Sequence, residues 1–267
     1  MKLLGVSWNC RLDEIFFNLY DLIDYVKELP VTKRSLLRMT AKIFDPLGIL
    51  APFVIKLNIL FQVICLEKKD WDEPLQGKMH DKWNMIVNEL KSLNAIRIPR
   101  CYFYLDSSPV ETQLHAFSDA SSQAYAAVLY MRLVYSNGQV EVRLIASKSR
   151  VAPLKKQSIP RLELLGAVIL ARLVNAVVKA LNNEVSVVYW VHSMTVLCWI
   201  KHKKLWKQYV NHHVNEIRQL TKEDDWRFCP GTKNPADLPT RGLSGADLKN
   251  SRLWWNGPEF LLSPEIE

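Results

Sequence analysis

From Gln113 onward hydrophobic and polar residues alternate, Leu114, Ala116 and so on to Tyr130, and the same texture fills Tyr125–Val134 and Val140–Ser147. Period-two alternation marks strands with one buried face. The turn signal Ser136-Asn137-Gly138 separates the last two runs, so the pattern predicts three strands in an antiparallel meander. The spacing then turns helical after Pro160, to about Leu181. Glu184–Val191 is β-branched and reads as a strand. Met194–Ile200 and Tyr209–Thr221 read as helices, Trp226–Cys229 as a strand, and a short helix starts near Asn234-Pro235, where proline suits the first turn. The order β-β-β-α-β-α-α-β-α predicts an α/β domain, a mixed sheet with flanking helices.

The pattern upstream of Ile98-Pro99-Arg100 is different and mostly helical. Leu3 to Leu19 reads as one or two short strands with a turn near Arg11–Asp13, followed by a polar approach to Thr32. Leu36, Leu37, Thr40, Ile43 and Phe44 fall at helical spacing behind Thr32 as N-cap. That helix is expected to stop near Asp45, because Pro46 and Gly48 follow. Further helices are predicted at Pro52–Lys68 and Gln76–Leu93, the latter with Trp83, Ile86 and Leu90 on one face.

Composition narrows the class. The 267 residues are 49% hydrophobic and 23% charged, a globular balance sufficient for one or two domains. A net charge of +8 suits a polyanionic partner, nucleic acid above all, and equally a generally basic soluble protein. The five cysteines, Cys10, Cys65, Cys101, Cys198 and Cys229, form no CxxC pair, which argues against a zinc or disulfide framework and for a reducing, intracellular compartment, cytoplasmic or nuclear. The N-terminus lacks the sustained apolar core of a signal peptide. The most apolar stretch, Leu47 to Leu66, is broken by Pro52, Lys56, Asn58 and Gln62 and reads as a buried helix, so no membrane partner is expected.

The candidate chemistry lies in acids standing in apolar surroundings. Asp119 sits in the β-patterned stretch LHAFSDASSQAYAAVLY. A carboxylate in a central strand is costly unless paired or metal-bound; the alternative is a turn residue beside Ser118 and Ser121. Glu163 is the only acid of a long apolar helix, near its start, where the helix dipole alone also favours an acid. Asp237, in KNPADLPTRG, is either a ligand or a helix cap. A fourth acid at the end of the Glu184–Val191 strand would complete a set, and the residue there is His192. Two-magnesium phosphodiester hydrolysis needs such converging carboxylates around ions about 3.5–4 Å apart.

Several motifs in order carry a resemblance. TKRSLLRMTAKIFDPLGILAPF, WDEPL, IRIPR, LHAFSDAS, SKSRVAPLKKQSIPRLEL, NPADLPTRG and LWWNGPEFL together resemble the Pol polyprotein of Bel/Pao-type retrotransposons over nearly the whole chain. The resemblance implies a ribonuclease H-like fold that hydrolyses the RNA strand of an RNA–DNA hybrid, with Asp119, Glu163 and Asp237 as metal-binding carboxylates. It also implies a fourth acid at His192, where the family pattern reads Asp-Ser. Neutral imidazole is a poor magnesium ligand, so the two-ion Mg2+ site is expected to be incomplete, with Mn2+ able to restore part of it. The same resemblance divides the chain into a remnant of the polymerase palm (1–30), a helical thumb- or connection-like region (31–107), the ribonuclease H-like domain (108–245) and a linker toward an integrase (246–267). Polymerase carboxylates would lie upstream of Lys2 and an integrase downstream, so DNA synthesis and strand transfer by this chain alone are not expected.

Two basic clusters suit phosphate contacts. One is Lys148, Arg150, Lys155 and Lys156; the other is Lys201, Lys203, Lys204 and Lys207 in IKHKKLWKQYVNHH, with Arg241 closing the last motif. The alternative is a solvated lysine-rich face. Trp190, Trp199, Trp206 and Trp226 read as packing residues, and His212 and His213 as surface histidines with no acid at ligand spacing. The partners implied are an RNA–DNA hybrid or other nucleic acid, and other Pol segments. A non-catalytic binding module built on the same fold, and an inactive structural fragment, are the competing readings.

Overall fold

The computed structural model describes residues 2–3, 6–101, 108–181 and 185–263. The chain divides into two compact units: Met1–Pro46, Pro52–Tyr104 and Gly242–Ser251 form one, and Leu47–Ala51, Leu105–Arg241 and Arg252–Glu267 the other.

In the first unit, strands β1 (Lys2–Leu3), β2 (Val6–Asn9) and β3 (Glu14–Phe16) form an antiparallel ribbon, and β4 (Arg97–Pro99) returns to pair with β3. The turn between β2 and β3 is closed by Asp13, whose Oδ1 accepts from Trp8 Nε1 at 3.0 Å and Arg100 Nε at 2.6 Å. Helix α1 (Tyr20–Lys27) occupies the stretch read as a polar approach. Its Leu22, Ile23 and Val26 are buried, a face too short to show in the pattern. Helix α2 (Lys33–Lys42) starts at Thr32, whose hydroxyl accepts the Ser35 N–H at 3.2 Å. It ends at Lys42 rather than near Asp45, because Ile43 is already extended. Helices α3 (Ala51–Leu66) and α4 (Lys78–Leu93) follow.

The second unit is built on five strands: β5 (Glu111–Ala120), β6 (Ala124–Val134), β7 (Val140–Val151), β8 (Ser186–Val191) and β9 (Trp226–Phe228). Their order is β7-β6-β5-β8-β9. The first three form the expected antiparallel meander, and β8 and β9 add in parallel through helical crossovers. The crossovers are α5 (Ile159–Leu181), then α6 (Met194–Lys201) and α7 (Gln208–Leu220). Residue 184, expected to open the fourth strand, lies outside the described residues.

Helix α5 is long and apolar enough, by length and composition, to cross a membrane. Here it lies on β5 and β6 and under α7, burying Leu162, Leu164, Val168 and Leu170 among others. Ser118 meets α5 at Gly166, while its neighbour Phe117 meets Phe260 at 6.4 Å between rings. Successive strand residues point to opposite faces, so α5 covers one face and the segment around Phe260 the other.

Beyond Asp237 the chain forms α8 (Leu238–Arg241), α9 (Gly245–Asn250), α10 (Arg252–Asn256) and a 3-10 turn at Glu259–Leu262. Within the stretch read as linker, Trp254 and Leu261 are fully buried. Trp254 Nε1 donates to Ile49 O at 3.0 Å, Tyr130 Oη donates to Trp254 O at 2.8 Å, and the buried Arg132 donates to Leu261 O at 2.9 Å. Its apolar residues therefore complete the core of the second unit, and α9 packs on α4 in the first.

Candidate active site

Asp119 stands next to the end of β5, and β8 runs parallel to β5 with Ser118 opposite Val191. That register carries the chain to His192 at the level of Asp119. The third element is α5, which offers Glu163 from its second turn. Gly166, one turn on, lets the helix approach: an added Cβ there would come within 3.1 Å of Asp119 O. The fourth is the Asn234-Pro235-Ala236-Asp237 turn. Buried Asn234 ties it to the sheet, donating Nδ2 to Ser118 O at 2.9 Å and accepting the Ala236 N–H at 3.0 Å.

Asp119 and Glu163 meet in a nearly dry environment, 4% and 5% exposed. Asp119 Oδ1 accepts the Ala120 N–H at 2.8 Å. Burial raises the pKa of Asp119 above the ordinary carboxylate range, against the stabilising Ala120 N–H. Glu163 is pushed up to about 9, first by burial, then by the Asp119 charge, a hydrogen bond to Asp119 and the charge of Asp237. Two carboxylates so close cannot both ionise in a low-dielectric site without a cation, so without one Glu163 is the protonated partner and donates to Asp119.

The other two positions complete the ring. His192 is exposed; its ring lies against Gly231, where an added Cβ would come within 3.1 Å. Its Nδ1 is 3.3 Å from Cys229 O. A carbonyl only accepts, so Nδ1 carries the proton and Nε2 keeps its lone pair when the ring is neutral. Asp237 is held by Arg241, Nε to Oδ1 at 2.6 Å, so this arginine, read as a phosphate contact, is engaged with a carboxylate of the cluster. The structure thus brings together all four residues singled out in the sequence. Asn234 and Gly166 position them without standing out in the sequence, apart from the signal of a glycine inside an apolar helix.

The lysines are placed at some remove. Lys148 lies on β7 opposite Ala127, and Lys155 and Lys156 lie in the loop before α5. Lys201 ends α6, and Lys203, Lys204 and Lys207 occupy the loop to α7. Eight residues of helix separate His192 and Ser193 from that loop, about 12 Å at 1.5 Å per residue. All seven lysines are exposed, and among the described residues none makes an ion pair. Arg218 shapes the loop, donating to Ile200 O at 2.9 Å and His202 O at 2.8 Å. Trp226 and Trp190 are buried packing residues, and Trp206 donates to Trp199 O at 3.3 Å. His212 and His213 have an acid within ligand reach after all, Glu216 on the same helix.

Among solved structures, the chain is similar to the N-terminal RNase H domain of rv2228c from Mycobacterium tuberculosis, at 11% identity and a TM-score of 0.34, covering 49% of this chain and 94% of that one. RNase H1 from Halobacterium salinarum is similar at 10% identity and TM-score 0.31, covering 47% and 90%. A foamy viral protease-reverse transcriptase in complex with dsDNA is similar at 15% identity and TM-score 0.45, covering 86% of this chain and 44% of that one. No curated protein matches. A family model described as Pao retrotransposon-like RNaseH-like domain matches residues 32–193. That span is more than half of the molecule, and the chain belongs to the Pao retrotransposon family with its ribonuclease H-like domain.

Proposed function

We propose that this chain is a metal-dependent nuclease of the ribonuclease H type, acting on the RNA strand of RNA–DNA hybrids and weakened by His192. The observation that carries the reading is the buried contact between Asp119 and Glu163, with Asp237 and His192 beside it. Buried acids set against each other are unfavourable without a compensating cation. The donor set of three carboxylates suits magnesium, and Asp119, Glu163 and Asp237 would hold it. When bound, paired magnesium ions supply charge neutralisation at the scissile phosphate and a water activated for attack.

The residues themselves do the rest. The Ala120 N–H fixes one oxygen of Asp119. Glu163 keeps the proton between the two carboxyl groups and would have to be ionised to hold a cation. Arg241 orients Asp237, which would be the third carboxylate to hold the ion. His192 offers a nitrogen where an oxygen donor would serve magnesium better, and Mn2+ tolerates that nitrogen more readily. The exposed lysines bind phosphates without reading bases.

A labelled RNA–DNA hybrid tests the reading in Mg2+ and in Mn2+. Weak cleavage, stronger in Mn2+, lost in Asp119→Asn and raised by His192→Asp, supports it. A folded His192→Asp protein that cleaves in neither metal overturns it. His192 itself favours a second reading, a module that grips nucleic acid without cutting it; hybrid binding with no cleavage by any variant would establish that one.

A further inference from the structure

We propose that His212, His213 and Glu216 form a second metal site, independent of the carboxylate cluster, for a transition dication of the zinc type. All three lie on α7, and one donor atom from each lies within 4.8 Å of the other two. At about 100° per residue, Glu216 falls about 40° round the helix from His212 and about 60° from His213, between the two rings. The His212 and His213 rings are 5.2 Å apart, centre to centre, and His213 is packed edge-on against Tyr209 at 4.7 Å. One His213 ring nitrogen, Nδ1, is buried without a hydrogen-bond partner.

The geometry is close to what an ion needs. Ligands about 2.1 Å from a tetrahedral zinc lie roughly 3.4 Å from one another, so donors now within 4.8 Å of one another would have to draw together by about 1.4 Å at most. Two imidazoles and one carboxylate are a zinc donor set, and a poor one for magnesium or calcium. Glu216 is already oriented from across the helix pair: Arg172 Nε reaches Oε1 at 2.5 Å and Nη2 reaches Oε2 at 3.0 Å. A carboxylate has about four lone-pair sites, so this contact leaves capacity for an ion. It also fixes the carboxylate as outer partners of metal ligands do. His212 is exposed and His213 and Glu216 are half-buried, so solvent would fill the fourth position.

Cobalt(II) is the probe, because four-coordinate Co2+ has intense visible bands and octahedral Co2+ on carboxylates has weak ones. The full chain is expected to develop the four-coordinate spectrum, to bind Zn2+ in competition with it, and to melt higher with Zn2+. His212→Gln with His213→Gln should remove the spectrum and weaken Zn2+ binding about tenfold or more. His212→Ala alone, at an exposed position, does the same should the double variant fail to fold. Asp119→Asn should leave the spectrum unchanged. A wild-type chain without the four-coordinate spectrum, or a spectrum that survives both histidine variants, overturns the proposal.

Discussion

Glu163 and Asp119 are hydrogen-bonded, carboxyl to carboxylate, where α5 crosses β5. The helix turn at Gly166 lies close to the strand: an added Cβ would stand 3.1 Å from Asp119 O, tighter than usual. The contact makes the metal-free protein and the loaded protein respond in opposite ways to the same substitution.

Asp119→Asn keeps an oxygen for the Ala120 N–H and removes the buried charge. The metal-free protein should melt no lower than wild type at pH 8, while Mg2+ binding measured by calorimetry disappears. A clear loss of metal-free stability would mean that the charge of Asp119 stabilises the fold.

Glu163 predicts a pH dependence in the absence of metal. Its folded value is raised, so the folded state binds the extra proton. Stability from this group is complete below the ordinary value of 4.5 and is lost as pH rises toward about 9. Melts across that window should slope downward in wild type and be flatter in Glu163→Gln.

His115 predicts the reverse at acid pH. It is buried, accepts from Trp190 Nε1 at Nδ1 over 3.1 Å, and shares Gln113 Oε1 with Arg132. Burial, then the charge of Arg132, lowers it to about 3 from an ordinary 6.5. Unfolded histidine gains a proton first, so stability is lost as pH falls from 6.5 toward 3. Comparing acid melts of wild type and His115→Gln isolates this contribution; equal slopes would refute it.

Restoring the fourth acid should matter more than any surface change. His192→Asp is expected to tighten Mg2+ binding and raise hybrid cleavage by about tenfold or more. By contrast, Lys203→Ala with Lys204→Ala should leave metal affinity alone and lower the salt slope of hybrid binding by about two, near one per phosphate contact.

The carboxy-terminal segment belongs to the core of its unit. Trp254→Ala removes a fully buried ring and its hydrogen bond to Ile49 O, and should cost about 3–5 kcal/mol in denaturant unfolding. A loss below about 1 kcal/mol would return this segment to the status of a linker.

The sequence by itself determined what depends on neighbours a few residues apart. Alternation gave the three strands from Glu111 to Val151, and helical spacing gave α2 through α5, because side-chain periodicity is local. The apolar surroundings of Asp119 and Glu163 marked them as costly acids for the same reason. Only the tertiary structure decided that α5 approaches β5 through Gly166 and that Asn234 pins the Asp237 turn to Ser118 O. It also decided that Trp254 and Leu261 enter the core. Those contacts join residues scores of positions apart, where register and close approach depend on the whole fold and leave no period in the chain. Glu216 is the exception: it stands four residues from His212, within the reach of local reading. There the helical spacing is legible in the chain itself, while the approach of the three donor atoms depends on side-chain placement.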